Sequence, residues 1–272
     1  MTRRKEGLVR TPSGRTVMEG TVRPLVYGPV DSRRYGRSLG VNVLPPDVKY
    51  CNFDCGYCQL GRTDAAALRE ARLPSRAQVR AAVEARLEEL AQAGERLDRI
   101  TFSGNGEPTL HPEFPGIVED VLELRDRLAP GVRVGILSNG TTAHGAQVRA
   151  ALLRLDDRVL KLDAGSEETL RAVNAPLPGF ELERTLRAVE RLPGVTIQAL
   201  FHCGPADNTA DAEVGAWIAR LRKIRPAGVQ IYTLDRAPAD PRLLPCPPER
   251  LLEIAERVRR EAGVPCRAFL PR

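Results

Sequence analysis

Hydrophobic positions along this chain switch repeatedly between two periods. Short runs rich in β-branched and apolar residues fall at 39–43, 99–103, 132–138, 158–163, 195–201 and 228–234, and each predicts a strand. Between and after them, at 75–93, 112–128, 146–155, 181–191, 211–224 and 248–262, apolar residues recur at helical spacing. Six strand-then-helix units in succession predict an α/β fold whose parallel sheet is joined by right-handed crossovers. Residues 1–26 carry no sustained period and contain Pro12, Gly14, Gly20 and Pro24, so they are expected to form an extended or partly mobile arm. The remainder, 27–272, is expected to be a single domain ending in a C-terminal helix.

The period-2 pattern also divides the strands into faces. Leu160 and Leu162 share one face and should meet the helices, which leaves Lys161 and Asp163 on the other. The other strands behave alike, pairing Thr101 with Ser103, Thr196 with Gln198 and Gln230 with Tyr232. A closed barrel core would be filled with Val, Ile and Leu. A polar interior fits a ligand; a buried Lys161–Asp163 pair with a purely structural role fits the same pattern.

Charge changes the picture at one end. Residues 1–37 hold nine basic side chains (Arg3, Arg4, Lys5, Arg10, Arg15, Arg23, Arg33, Arg34 and Arg37) against Glu6, Glu19 and Asp31, an excess equal to the whole formal net charge of +6. Such an arm can grip phosphates. Only four of the 41 basic residues are lysines, however, and that Arg and Ala bias fits a GC-rich genome as readily as selection for binding. No apolar run approaches a membrane span, and the first thirty residues lack an apolar signal core. A soluble cytoplasmic protein with reduced thiols is expected, with no membrane or DNA partner.

The densest chemistry is at Cys51, Cys55 and Cys58, spaced CxxxCxxC, which supplies three thiolates from one short loop. A zinc site would need a fourth ligand, and the nearest histidine is His111. A disulfide framework belongs to small domains in oxidising compartments. The spacing therefore favours an iron–sulfur cluster over zinc or inert thiols, and a cluster held at three irons leaves the fourth open to a small molecule. About fifty residues later comes Thr101-Phe102-Ser103-Gly104-Asn105-Gly106-Glu107-Pro108, a glycine-rich turn with one carboxylate.

These two motifs, in this order, resemble the radical S-adenosylmethionine (SAM) superfamily, in which an aromatic, here Tyr57, precedes the last cysteine. Gly28 to Arg34, Arg37 to Gly40, Lys161 to Ala164 and Tyr232 to Arg236 extend the likeness over about residues 27 to 260, to a branch related to wyosine-type tRNA-modifying enzymes. The resemblance implies a partial (α/β)6 barrel, one 4Fe-4S cluster on Cys51, Cys55 and Cys58, and SAM bound at its open iron. It implies that Ser103, Gly104, Asn105, Gly106 and Glu107 receive the SAM amine, although Asn105 departs from the commoner GGEP. Tyr57 and Gln198 would lie near adenine. Ser138, Asn139, Lys161 and Asp163 stand at strand ends facing the cofactor, and Asn174 and Arg236 are candidate contacts to the SAM carboxylate or to substrate. The expected partners are an electron donor such as flavodoxin or ferredoxin and a substrate that is a small molecule, a peptide or RNA. An iron–sulfur electron carrier or redox-sensing module is the alternative, and the SAM-like motifs count against it.

Cys203, Cys246 and Cys266 raise the question of an auxiliary cluster. If 248–262 is one helix it is about 22 Å long, and the residues from Ala262 to Cys266 retrace only about 13 Å, so Cys246 and Cys266 belong at opposite ends of the sheet. No cysteine precedes Cys51, where wyosine-forming enzymes keep their extra ligands. The three histidines, His111, His144 and His202, have no ligand-like partners at helical spacing; His111 stands at a helix start as a cap or loop-packing residue, and His202, beside Cys203, could face substrate.

Overall fold

Strand and helix periods in the sequence become hydrogen-bonded elements along most of the chain. The computed structural model describes residues 22–271, together with the backbone of Leu8–Arg10 and Thr16–Met18. Most of the expected N-terminal arm therefore lies outside the described residues. The chain divides into two compact units, Met1–Cys51 with Gln59–Val134, and Asn52–Cys58 with Gly135–Arg272.

In the first unit, β1 (Leu8–Arg10) and β2 (Thr16–Met18) pair antiparallel. β3 (Val26–Ser32) runs antiparallel to β4 (Gly36–Val41), and β5 (Arg99–Phe102) lies parallel to β4. The helices are α1 (Ala65–Glu70), α2 (Arg76–Gln92) and α3 (Phe114–Leu128). α2 begins where Ser75 and Gln78 form a reciprocal capping box, which satisfies two of the first-turn donors. Its buried residues Val79, Val83, Leu87 and Leu90 recur at helical spacing and make one apolar stripe. Arg76 spans to α3 with two bonds of 2.7 Å to the Asp120 carboxylate, to which Arg80 also donates at 3.1 Å.

The second unit holds β6 (Arg133–Ser138), α4 (Ala146–Arg154), β7 (Asp157–Lys161), α5 (Glu167–Asn174), α6 (Leu182–Val189), β8 (Thr196–Leu200), β9 (His202–Cys203), α7 (Asp211–Ile224), β10 (Gly228–Tyr232), β11 (Leu244–Pro245), α8 (Pro248–Arg257) and β12 (Cys266–Phe269). Its main strands lie side by side and parallel in the order β6, β7, β8, β10, β12. Leu160 and Leu162 are buried on the helix side, as the alternation required, and the Trp217 indole N–H of α7 donates to the Leu162 carbonyl at 2.8 Å. Gly165 follows β7 because a Cβ there would overlap the backbone of Trp217.

Among the described residues these main strands are three in the first unit and five in the second, and seven of them are parallel to a neighbour within their own unit. All six predicted strands are among these. Two more were not predicted. β3 contains Gly28-Pro29, which reads as a breaker, but a register shift between Tyr27 and Val30 absorbs it as a bulge at an antiparallel strand. β12 is four residues long, too short to show a period. The last predicted helix changes character, continuing from α8 as π-helical turns over Val258–Ala262. Among the described residues no helix is long and apolar enough to cross a membrane.

Candidate functional site

Two neighbourhoods, one in each unit, hold the residues singled out by the motifs. In the second unit the segment Asn52–Cys58 is laid against the end of α5. Asp54 N–H donates to the Asn174 carbonyl at 2.9 Å, Gly56 N–H to the Val173 carbonyl at 3.2 Å, and Leu177 N–H to the Asn52 carbonyl at 3.0 Å. Phe53 packs edge-to-face on Phe180, centroids 5.3 Å apart. The Asn52 side chain donates to Thr141 Oγ1 at 2.8 Å and accepts from Asn139 Nδ2 at 2.7 Å, tying the loop to the turn after β6. Ser138 in that turn accepts from Gly140 N–H at 3.0 Å.

Beside the loop lies a buried polar group centred on Asp163. Its Oδ1 faces Lys161 Nζ at 2.8 Å and accepts from Leu200 N–H at 2.8 Å; its Oδ2 accepts from Tyr57 Oη–H at 2.5 Å and Asn174 Nδ2 at 2.8 Å. Burial opposes ionisation of Asp163, but the Lys161 ammonium and the donated hydrogen bonds outweigh it and hold the carboxyl below the usual range. Lys161 also donates to Tyr232 Oη at 3.1 Å, and its ammonium lies over the rings of Tyr57 and Tyr232, 5.3 and 4.8 Å from the centroids. Gln198 and Gln230 of adjacent strands are joined by a 3.0 Å bond. The face expected to be polar thus carries, within this unit, a network around Asp163 and Lys161 and a separate bonded pair of glutamines.

Asn174 reaches further than the sequence implied. Its Nδ2 lies 3.2 Å from Cys55 Sγ as well as 3.2 Å from Tyr57 Oη. Burial pushes the Cys55 thiol up to about 11, with the hydrogen bond from Asn174 pulling the other way. His202, also fully buried, stands with its ring 6.2 Å from that of Tyr57, and neither ring nitrogen has a hydrogen-bond partner. Burial lowers its pKa, which favours the neutral ring.

In the first unit the Ser103 to Glu107 turn is zipped to the chain entering the cysteine loop. Tyr50 N–H donates to the Asn105 carbonyl at 2.7 Å, and Glu107 N–H donates to the Tyr50 carbonyl at 3.0 Å. Gly106, at φ +146°, is required by this approach, since a Cβ would overlap the Tyr50 carbonyl and lie 3.1 Å from the Cys51 nitrogen. Asn105 is fully buried, accepting from Arg23 N–H at 2.8 Å and donating to the carbonyls of Arg23 and Pro45 at 2.9 and 2.8 Å. Glu107 is buried too, and its Oε1 accepts from Thr109 N–H and Oγ1 at 3.1 and 2.6 Å. Ser103 Oγ is 2.7 Å from Tyr27 Oη.

The remaining candidates lie apart from these groups or have local roles. Arg236 is exposed beyond β10. His111 caps locally, bonded to the Pro74 carbonyl and the Glu113 N–H at 2.8 and 3.0 Å. Cys246 N–H bonds Thr233 Oγ1 past the end of β10, whereas Cys266 pairs with Val229 near its start. Cys203 and Cys246 lie on paired strands or directly beyond them, β9 and β11. Asn208 was not picked out by any sequence signal. It is buried and donates to the carbonyls of Asp163 and Leu200, both at 2.8 Å, while accepting from His202 N–H.

Residues 47–214 match the sequence profile of the Radical SAM superfamily, and the chain belongs to that superfamily. With membership come SAM-dependent radical chemistry and an iron–sulfur cluster. More particularly, the chain is similar to UPF0026 proteins. It is 34% identical to one from Synechocystis sp. over 218 residues, 78% of this chain and 76% of that one. To one from Helicobacter pylori it is 32% identical over 221 residues, 78% and 67% of the two chains. Among solved structures it resembles a radical SAM methyltransferase from Sphaerobacter thermophilus, with TM-score 0.65, 18% identity, and 96% of this chain and 75% of that one covered. It also resembles TYW1 with a lysine-pyruvate adduct bound, with TM-score 0.57, 13% identity, and 83% and 74% covered. These likenesses show the fold, an α/β architecture of the radical SAM type.

The donor set fits a cluster. An amide N–H is aimed at the Cys55 sulfur, a partner suited to a metal-bound thiolate. Among the described residues no three His, Cys, Asp or Glu side chains are grouped as for a single metal ion. A cluster spreads its three thiolates over separate irons.

Proposed function

We propose that this protein is a radical SAM enzyme that holds one 4Fe-4S cluster on Cys51, Cys55 and Cys58 and removes a hydrogen atom from a substrate. When bound and reduced, the cluster supplies the electron that cleaves SAM into methionine and a 5′-deoxyadenosyl radical. The observation that carries the reading is the cysteine loop itself, fixed by α5 and with an N–H donor at Cys55. Gly104, Gly106 and Glu107 are the candidates for the SAM amine, with Ser103 alongside. The side chain of Asn105 is committed to Arg23 and Pro45, so any contact from that residue is structural. Tyr57 and Gln198 are the candidates for the adenosine end, and Ser138 and Asn139 support the turn that braces Asn52.

The polar groups of Lys161, Asp163, Gln198, Gln230 and Tyr232 suit a substrate rich in hydrogen-bonding groups, which a small metabolite, a peptide or RNA would supply. The basic N-terminal sequence favours the last of these. Electrons would come from a flavodoxin or ferredoxin. A simple electron carrier has no use for a carboxylate-bearing glycine turn joined to its first cysteine, which leaves that alternative without support.

Anaerobic reconstitution followed by iron and sulfide analysis tests the reading, with about four irons per chain expected. Reduction with dithionite in the presence of SAM should then release 5′-deoxyadenosine and methionine. Glu107→Ala should keep the cluster but weaken the SAM-induced change in its electron paramagnetic resonance (EPR) spectrum. A cluster that assembles yet neither responds to SAM nor releases 5′-deoxyadenosine would remove the enzyme reading in favour of an electron carrier.

A further inference from the structure

Asn174 is the last residue of α5, and Ala175 after it turns the chain into the left-handed region at φ 40°. The side chain is buried, with three acceptors in reach: Asp163 Oδ2 at 2.8 Å, Cys55 Sγ at 3.2 Å and Tyr57 Oη at 3.2 Å. A primary amide has only two N–H groups, so they cannot all be served at once. Asp163 takes the first, being an ionised acceptor at the shortest distance, itself fixed by Lys161 and the Leu200 N–H. Tyr57 donates its one proton to the same carboxylate, and its oxygen and the Cys55 sulfur stand at equal 3.2 Å distances from the amide. The second N–H faces both, and a thiolate, being charged, is the stronger acceptor of the two. Turning the amide over would set its oxygen against the Asp163 carboxylate, so the donor orientation is chemically fixed.

The backbone holds the sulfur in register with this donor. Asp54 and Gly56, on either side of Cys55, donate to the carbonyls of Asn174 and Val173. The amide donor and the cysteine it addresses are thus carried by one hydrogen-bonded unit.

We infer that Asn174 is a positioning residue for the cluster, donating an N–H···S bond to Cys55 and raising the cluster's reduction potential, with Asp163 setting the donor's direction. The inference rests on the reading given above, that Cys55 is a cluster ligand. Its physical basis is that a donor to a ligand sulfur stabilises the more negative, reduced cluster more than the oxidised one. The resemblance makes Asn174 a candidate contact to SAM or substrate; the inferred role instead directs it at the metal's own ligand.

The test is an EPR-monitored redox titration of the reconstituted cluster without SAM. Asn174→Leu keeps the approximate shape and loses the donor. It should load the same iron and titrate at lower potential, by about tenfold in the reduction equilibrium or about 59 mV for one electron. Asn174→Gln, which keeps an amide, should recover part of the shift. A Leu variant with full iron content and an unchanged potential overturns the inference, while SAM cleavage by the parent protein leaves the enzyme reading standing. Should the Leu variant fail to fold or load, parent protein and Asn174→Gln, both carrying δ-15N-asparagine, give the answer by pulsed EPR of the reduced cluster. A resolved 15N coupling present in the parent and lost in the Gln variant, which alone lacks the label at this position, is expected, and its absence overturns the inference. If the parent takes up no cluster, the function proposed above falls and this inference falls with it.

Discussion

Asp163 accepts from four different groups on four stretches of chain, so its removal disturbs more than one bond. Asp163→Ala would leave the Lys161 ammonium without its carboxylate in a site where its side chain is 18% exposed. Breaking a buried pair from one side costs about 3 kcal/mol or more. Lys161→Met should cost less, because Asp163 keeps three other donors. Urea unfolding of both variants checks the order, and an Asp163→Ala loss no larger than that of Lys161→Met would refute this account. The alternation of residues along β7 was enough to put Lys161 and Asp163 on one face. Nothing local revealed that Tyr57, 106 residues away, or Asn174 would complete the group, because such partners are chosen by topology. Asn208 and the unpartnered ring of His202 were illegible for the same reason.

At the scale of elements, the bridge between Tyr50 and the Asn105 to Glu107 backbone is the part most sensitive to one added methyl group. Gly106→Ala places a Cβ on the Tyr50 carbonyl at a backbone angle that non-glycine residues avoid, and should cost about 2–4 kcal/mol as the two bridging bonds open. Gly131→Ala, at φ +83° with open space around it, is the control and should lose only about 1 kcal/mol. Thermal or urea unfolding of the pair measures the difference, and equal losses would mean that the bridge contributes nothing. The long elements were legible because their periods are long: the predicted 75–93 is α2 over Arg76–Gln92, and 211–224 is α7 unchanged. α1 and α5, of six and eight residues, are too short to show a convincing stripe, yet α5 carries Asn174. The cysteine spacing and the glycine turn were readable because their chemistry is written within a few residues of one another.

Across the whole molecule, arginine partners hold many carboxylates below their usual range. Asp120 is lowered by its hydrogen bond to Arg76, Glu123 by Arg80, Asp211 by Arg250, Glu261 by Arg257, and Asp98 by the Arg37 backbone N–H. A group whose folded pKa is depressed stabilises the fold above its unfolded value and loses that contribution as pH falls through the folded one. His202 has the same sign, from burial, beginning at its unfolded value of about 6.5. The melting temperature of metal-free protein should therefore decline slightly below about pH 6.5 and steeply below about pH 4, where ordinary carboxylates titrate. Circular dichroism melts across pH 7 to 3 give the curve, and a midpoint that rises in the acid range contradicts it.

Asn52–Cys58 belongs to a different unit from the chain on either side of it, and its side-chain partners come much later in the sequence. Cys55 and Asn174 are 119 residues apart. At a synthesis rate of about 5–20 residues per second, the ribosome would deliver that partner about 6–24 s after the cysteine. Throughout that interval the thiols are on a nascent chain without the wall that later encloses them, exposed to oxidants and stray metal ions. Newly made protein is thus at its most vulnerable before release, and the yield of intact loops should depend on how fast the ribosome crosses residues 59 to 174.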